Sequence, residues 1–468
     1  MIALMLGPSG LGLVGLYTST TGLLGTVAGL GIGASGVREV AEAHGSGVPE
    51  KVASTALALR RACWVTGAFG WLLAAALSYP LSLWAFESKE FAWPIAILGI
   101  TILLTALSSA QLAVLQGTRR IGELARLSIL SVSVSTVVAV AIYAVLGEQG
   151  IVPVLIATAA INLILSWWFA RRLNALQVTQ TWRETLVHAR RHVGLGMAFM
   201  WSGVLAALVD LAIRALIVRE HGLDGNGMYQ AAWGISGMFA AFVLGAMGTD
   251  FYPRLAGVAH DSKEVNRMVN EQTEIGILLA LPGLLATLAF APWVMHIFYS
   301  AKFAPASTLL PWLVLGIFGQ VVSWPMSFIL IAKGAKGWMA ITETFANTLK
   351  LGLSAVLLYY MGLEGIAVAV PTMYVAYMLL VLVISRSLTG FCWDKAARGV
   401  LVVSCVLTTL AFVAKLAFSP TVSLWLIMLI TAIGSLFSLQ GILNRVPRDN
   451  RIAKWLRRIP VVRYLEIR

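Results

Sequence analysis

The chain has 468 residues, of which 59% are hydrophobic and only 12% charged, a balance too apolar for a water-soluble fold to cover with polar surface. Its formal net charge of +13 would suggest nucleic acid in a soluble protein, but in so apolar a chain the position of each charge decides, and placement excludes that partner. The three cysteines, Cys63, Cys392 and Cys405, are widely spaced and suggest neither a disulfide framework nor a metal site.

A bilayer core about 30 Å thick needs roughly 20 apolar residues per helix. The first residues, Met1 to Gly10, lack the basic region and small-residue cleavage site of a signal peptide. Apolar runs of helical length are predicted at 9–35, 62–85, 91–116, 126–147 and 151–170. After a basic stretch come 194–218, 228–250, 273–297, 308–332, 338–361 and 363–386, then a last pair at 399–418 and 422–443, thirteen spans in all. No soluble domain has room to fit between them.

Lysine and arginine sort these spans by side, because cytoplasmic loops retain positive charge. One set of alternate loops holds only Lys89, Arg219 and Lys302, while Arg214, Lys350 and Lys415 fall inside spans. Every other basic residue lies on the opposite side, including those from Arg445 to Arg468. The C-terminus is therefore expected in the cytoplasm, where Trp455, Leu456, Val461 and Tyr464 among arginines suit a segment lying on anionic headgroups.

The chain also repeats itself at a spacing of about 212 to 217 residues. Leu115-Gln-Gly-Thr-Arg-Arg, a serine-rich helix and Gly147-Glu-Gln-Gly-Ile151 parallel Ala332-Lys-Gly-Ala-Lys-Gly337 and Gly362-Leu-Glu-Gly-Ile366. Gly12-Leu-Val-Gly-Leu-Tyr17 likewise parallels Gly225-Asn-Gly-Met-Tyr229. Glycine suits the tight turns between such helices. The counterpart of span 194–218 would end near residue 6, so the first copy is expected to lack its first helix, with Met1 to Leu6 as its stump.

The expected fold is thus an all-α membrane protein with two parallel-repeat six-helix lobes, the first short of one helix, and an additional C-terminal helix pair. The divisions are 1–173 for the N-terminal lobe, 174–193 for a cytoplasmic amphipathic linker carrying Trp182, Leu186, Ala189 and Val193, and 194–388 for the C-terminal lobe. Residues 389–443 hold the extra pair and 444–468 a basic cytoplasmic tail.

The opening Leu6-Gly-Pro-Ser-Gly-Leu-Gly-Leu, the segment Gly31-Ile-Gly-Ala-Ser-Gly-Val-Arg38 and the paired Gly-x-x-Gly-Ile elements resemble the Wzx-type polysaccharide transporters of the multidrug/oligosaccharidyl-lipid/polysaccharide exporter superfamily. The likeness covers residues 1 to about 390 and includes the duplication. It implies an activity: translocation of undecaprenyl-pyrophosphate-linked oligosaccharide units across the bacterial inner membrane, in O-antigen or exopolysaccharide biosynthesis. It also implies glycosyltransferases and a polysaccharide polymerase as companions. The missing first helix and the extra pair depart from the family pattern.

A charge at mid-membrane is costly unless paired or wet, so intramembrane ionisable residues are natural transport-site candidates. Glu343, Asn347, Lys350 and Ser354 recur at helical spacing on one stripe, expected to face a cavity. There Lys350 would bind a pyrophosphate oxygen and Glu343 would hold the lysine or a coupling proton. Asp210 and Arg214, one turn apart, form a second candidate pair, between substrate contact and simple neutralisation. Arg38, Arg119, Arg120 and Arg126 stand at the cytoplasmic mouth, where a headgroup would be drawn, although positive-inside placement explains them as well.

Thr101, Thr105 and Ser108, with Thr158, Asn162 and Ser166, give the first lobe an uncharged polar lining that suits sugar hydroxyls or interhelical hydrogen bonds. Trp293, Trp312 and Trp324 are candidates for stacking on sugar rings or for interfacial belts. No phosphate-cradling glycine loop and no His-Glu-x-x-His helix is present, so neither an enzyme nor a cofactor is expected. Transport would then run on a proton or sodium gradient or on the substrate's own gradient. The alternatives are a multidrug or cation antiporter of the same superfamily and a membrane-embedded polymerase or glycosyltransferase.

Overall fold

The computed structural model describes residues 2–29, 31–171 and 182–445, and every element among them is helical. In chain order these are α1 (Ile2–Gly29), α2 (Ile32–Gly45), α3 (Pro49–Phe86), α4 (Ala92–Gly117), α5 (Ile121–Leu146) and α6 (Ile151–Ala170). There follow α7 (Trp182–Gly257), α8 (Ser262–Phe298), α9 (Leu309–Ala332), α10 (Lys336–Met361), α11 (Leu363–Thr389), α12 (Lys395–Ala417) and α13 (Pro420–Leu443). Ten stretches among the described residues are long and apolar enough to cross a bilayer. One of them, Ile121–Ala170, carries both α5 and α6, and another, Met200–Met238, runs through a kink in α7, while α10 with Glu343 and Lys350 is not among the ten.

Large apolar side chains stand exposed along these helices, among them Val132, Val137 and Val145 on α5. That surface suits lipid, where the helix satisfies its own backbone and apolar side chains meet acyl chains. One expectation needs correction. The first span was placed at 9–35, but α1 ends at Gly29, Gly31 takes a left-handed conformation (φ 72°), and α2 is a separate helix. Its Val40 packs against Ala56 and Val114. Of the proposed linker, 174–181 lies outside the described residues, whereas from Trp182 the chain is already helical and continuous with α7; the basic tail beyond Arg445 also lies outside them.

The irregularities of the backbone carry the repeat. Gly7 (φ 70°, ψ −171°) bends α1 and Gly222 (φ 66°, ψ −171°) bends α7 in the same conformation. Arg119 and Gly334, and Gly147 and Gly362, also have positive φ, and the members of all three pairs stand 215 residues apart. Each Gly-x-x-Gly-Ile element needs both glycines. The first adopts the positive φ, and a Cβ on the second would crowd the preceding helix, at Ile142 for Gly150 and at Leu357 for Gly365.

The chain divides into two compact units, Met1–Gly227 and Met228–Arg468. In the first, Leu16 and Tyr17 of α1, Leu98 of α4, Ile151 of α6 and Leu211 of α7 share one core. Residues 200–221 therefore pack within the first unit, although the repeat pattern opens the second lobe at 194. The contact responsible is a crossing of α1 and α7 just after their kinks. A Cβ on Gly12 would stand 2.0 Å from the Leu223 carbonyl oxygen, and one on Gly227 would stand 1.9 Å from the Pro8 carbonyl oxygen. These positions stand 215 residues apart, as the paired turns do, so the contact is reciprocal.

In the second unit the extra helix pair is part of the core. Val400 and Ala411 of α12 and Ile427 of α13 pack with Leu281 and Leu284 of α8 and Val314 of α9. Gly434 and Gly441 let α13 lie close on Leu285 and Leu278 of α8, the small-residue packing that membrane helices use. At the end of α13 the Arg445 guanidinium donates to Glu274 of α8, with Nε 2.6 Å from Oε2. Glu274 is 4% exposed, so the arginine neutralises a carboxylate that hydrocarbon would not tolerate.

The crossing gives a direct expectation. Gly227→Ala forces backbone apart and should destabilise the protein by about 1–3 kcal/mol or more, read as a lower thermal midpoint in detergent. Gly352→Ala on α10, where nothing lies within 4 Å of a new Cβ, should leave the midpoint unchanged or raise it. Equal behaviour of the two variants would contradict the crossing.

Candidate functional site

Within the first unit a cavity of about 510 Å³ opens between α1, α3, α4 and α6. On α1 the cavity face reads Thr18, Thr21, Gly22, Gly25, Thr26 and Gly29, where helical spacing puts one hydroxyl or glycine on the same side at each turn. The glycines leave the space and the threonines make it polar. Each hydroxyl is satisfied within its own helix: Thr18 donates to the Val14 carbonyl at 2.9 Å, Thr21 to Tyr17 at 2.9 Å and Thr26 to Gly22 at 2.8 Å. Such back-bonding lets a hydroxyl sit in a membrane helix without an orphaned donor.

The α4 wall continues the pattern, with Thr101 donating to the Leu98 carbonyl at 2.6 Å and Ser109 to the Thr105 carbonyl at 2.9 Å. Three lining side chains differ. Thr105 of α4 and Thr158 and Asn162 of α6 face the cavity with no side-chain hydrogen bond to protein among the described residues. Among the described residues no lysine, arginine, aspartate or glutamate lines this cavity. A neighbouring hollow of about 260 Å³ shares Thr18, Gly22 and Thr26 with it and adds Ser19 and Asp210.

The polar residues expected on α4 and α6 divide between two roles. Thr101, Thr105, Thr158 and Asn162 line the cavity, whereas Ser108 and Ser166, 5% and 0% exposed, hydrogen-bond to each other at 3.1 Å between the helices. The α1 threonines were missed by sequence reasoning. Their signal was available in the spacing of Thr18, Thr21, Gly22, Gly25 and Thr26.

Asp210 and Arg214 do form the expected intrahelical pair, at 2.9 Å. Arg214 is 4% exposed, its guanidinium also donating to Asn226 Oδ1 at 3.4 Å. Asn226 donates to the Gly12 carbonyl at 2.6 Å, and Ser19 donates to Asp210 at 2.6 Å. The pair thus joins a chain of hydrogen bonds that ties α1 to α7 on both sides of their crossing.

On α10 the expected stripe is engaged residue by residue. Glu343 accepts a hydrogen bond from Tyr377 of α11 at 3.4 Å, in place of the expected hold on Lys350. Asn347 donates back to the Glu343 carbonyl at 2.9 Å, and Ser354 is buried. Lys350 is half-buried with Nζ 5.0 Å from the centre of the Trp233 ring, a cation-π contact, and Trp233 in turn stacks on Tyr229. Seven residues separate Glu343 from Lys350, about two turns of helix, so each found a partner on a different neighbour.

The remaining candidates lie apart from the cavity lining. Arg38 on α2 pairs with Glu42 at 2.8 Å on an exposed surface, and Arg126 is exposed near the start of α5. Trp312 packs edge-on against Phe412 and Trp324 against Phe251 and Phe328, while Trp293 is exposed. Among the described residues no group of three or more histidine, cysteine, aspartate or glutamate side chains is placed to hold a metal.

This fold recurs among solved transporters. An inward-facing multidrug resistance MATE family transporter of the MOP superfamily matches with a TM-score of 0.64 at 15% identity, over 82% of this chain and 92% of that one. The lipid II flippase MurJ in its inward closed conformation matches with a TM-score of 0.59 at 13% identity, over 92% of this chain and 98% of that one. The fold is therefore one that this chain shares with these two proteins. The profile of the polysaccharide biosynthesis protein family matches residues 1–308, and the chain belongs to that family. It is also 24% identical over 400 residues to the lipid III flippase of Escherichia coli (strain K12), covering 81% of this chain and 91% of that protein.

Asp210 is the carboxylate that pairs with the buried Arg214 at 2.9 Å. Asp210→Ala should therefore lower stability by about 3–5 kcal/mol, whereas Asp210→Leu with Arg214→Met should recover most of that loss. Folded yield after detergent extraction reads both; a double variant no better than the single would assign the arginine a role beyond the tie between helices.

Proposed function

We propose that this protein flips a polyprenyl-diphosphate-linked oligosaccharide across the bacterial inner membrane by alternating access, during O-antigen or exopolysaccharide synthesis. The observation that carries this reading is the hydroxyl- and amide-lined cavity among membrane-spanning helices of a chain in a polysaccharide biosynthesis family. A path for acyl chains or hydrophobic drugs has no need of such a lining; a glycan does. The similarity to a lipid III flippase supports the same substrate class. In this reading the C-terminus is cytoplasmic, which the distribution of lysine and arginine supports.

The diphosphate needs a cation, and Lys350 is the candidate: an ammonium in the middle of α10, half-buried and resting on an aromatic face. A diphosphate oxygen would offer it a stronger partner than the Trp233 ring. Glu343, hydrogen-bonded by Tyr377, is the candidate carrier of a coupling proton. Arg214 and Asp210, spent on the contact between α1 and α7, act in this scheme by holding the α1 cavity face in place.

Lys350→Ala should abolish surface polysaccharide while protein abundance stays normal, and Lys350→Arg should retain a fraction of it. Immunoblots of surface polysaccharide beside those of the tagged protein give the answer. Undiminished polysaccharide in Lys350→Ala would remove the lysine from the mechanism, and resistance to cationic dyes on overexpression would favour an antiporter instead.

A further inference from the structure

The hydrogen bonds around the first-unit cavity have a direction. Thr18, Thr21, Thr26, Thr101 and Ser109 all give their single hydroxyl proton to a carbonyl of their own helix. Each therefore turns only lone pairs toward the cavity, since a hydroxyl has one donor and two acceptor sites. Against this acceptor wall stand Thr105, Thr158 and Asn162, whose groups are not engaged by protein among the described residues and can both give and receive. Among the described residues the lining has no charged side chain and no aromatic ring.

These facts select a ligand. A diphosphate only accepts hydrogen bonds and carries negative charge, so an acceptor wall without a cation repels it. A metal or sodium ion would find oxygens but no carboxylate in the lining, and a volume of about 510 Å³ far exceeds what an ion fills. An uncharged sugar donates from several hydroxyls at once and accepts at others, and this cavity serves both. Without rings to stack on, recognition runs through hydrogen bonds, which discriminate strongly because a buried polar group left unpaired is costly.

We propose that the first-unit cavity is the glycan subsite, that it takes an uncharged, hydroxyl-rich sugar, and that Thr105, Thr158 and Asn162 are its specificity-determining residues. This rests on the flippase reading and divides the substrate: the sugar is held here, and the diphosphate by groups outside this lining.

The test uses the full chain in lipid nanodiscs and three probes: undecaprenyl diphosphate, the same lipid bearing N-acetylglucosamine, and the same lipid bearing glucuronic acid. Wild type should bind the neutral glycolipid at least about 5-fold more tightly than undecaprenyl diphosphate, and the glucuronic acid lipid less tightly than the neutral one. Each of Thr105→Val, Thr158→Val and Asn162→Leu should erase about 3- to 10-fold of that advantage while leaving undecaprenyl diphosphate binding and the thermal midpoint unchanged. Thr105→Ser, which restores the hydroxyl, should keep it. An unchanged advantage in all three variants, or a wild type that binds the sugar-free lipid equally well, would overturn the subsite. Sodium-dependent stabilisation lost in the variants with glycolipid binding intact would overturn it in favour of an ion. Absence of binding to all three lipids by wild type would instead overturn the flippase reading itself.

Discussion

The close crossing of α1 and α7 is the constraint on which the first unit depends. Two helices approach so nearly that the backbone of each occupies the space a side chain would need, and only glycine at Gly12 and Gly227 allows it. In a bilayer little hydrophobic force draws helices together, so close packing and interhelical hydrogen bonds must do so. Both are present here: the glycine contact, and beside it the polar chain from Ser19 through Asp210, Arg214 and Asn226 to the Gly12 carbonyl. The orientation of α1 that results turns its threonines toward α3, α4 and α6. The cavity face and the crossing thus belong to the same helix, and the buried Arg214 takes part in the hydrogen bonds beside the crossing.

The same reasoning explains why the chain bends where it does. A break in a helix leaves carbonyl and amide groups that lipid cannot satisfy, so breaks are confined to places where a tight, self-satisfied turn is available. Glycine supplies most of them, at Gly7, Gly147, Gly222 and Gly362. That the paired turns recur at one spacing shows how rigidly such solutions are kept: the intervening residues differ, but the turn geometry does not.

Much of the architecture could be read from the sequence, because twenty-residue apolar runs and basic loops are strong signals set by bilayer thickness and charge. Glycine pairs marked the turns at Gly147 and Gly362, whereas Gly12 and Gly225 lie inside helices, after breaks at Gly7 and Gly222. The site was less legible. Thr101, Thr105, Thr158 and Asn162 were found because small polar residues stand out in an apolar helix, but nothing in spacing alone separated them from Ser108 and Ser166, which bond to each other. Whether a hydroxyl faces a cavity or a neighbouring helix depends on the rotation of each helix, a property of packing. The stripe on α10 shows the same limit: Glu343 and Lys350 share a face in sequence, yet Tyr377 and Trp233 from two other helices claim them separately.

The bond between Glu274 and Arg445 carries a consequence for biogenesis. Its members are 171 residues apart in the chain, so α8 enters the membrane long before its neutralising partner has been synthesised. During that interval the carboxylate is an uncompensated charge on a helix otherwise destined for the interior. Insertion of α12 and α13 then brings Arg445 to Glu274, so the pair closes only when the end of α13 is in place.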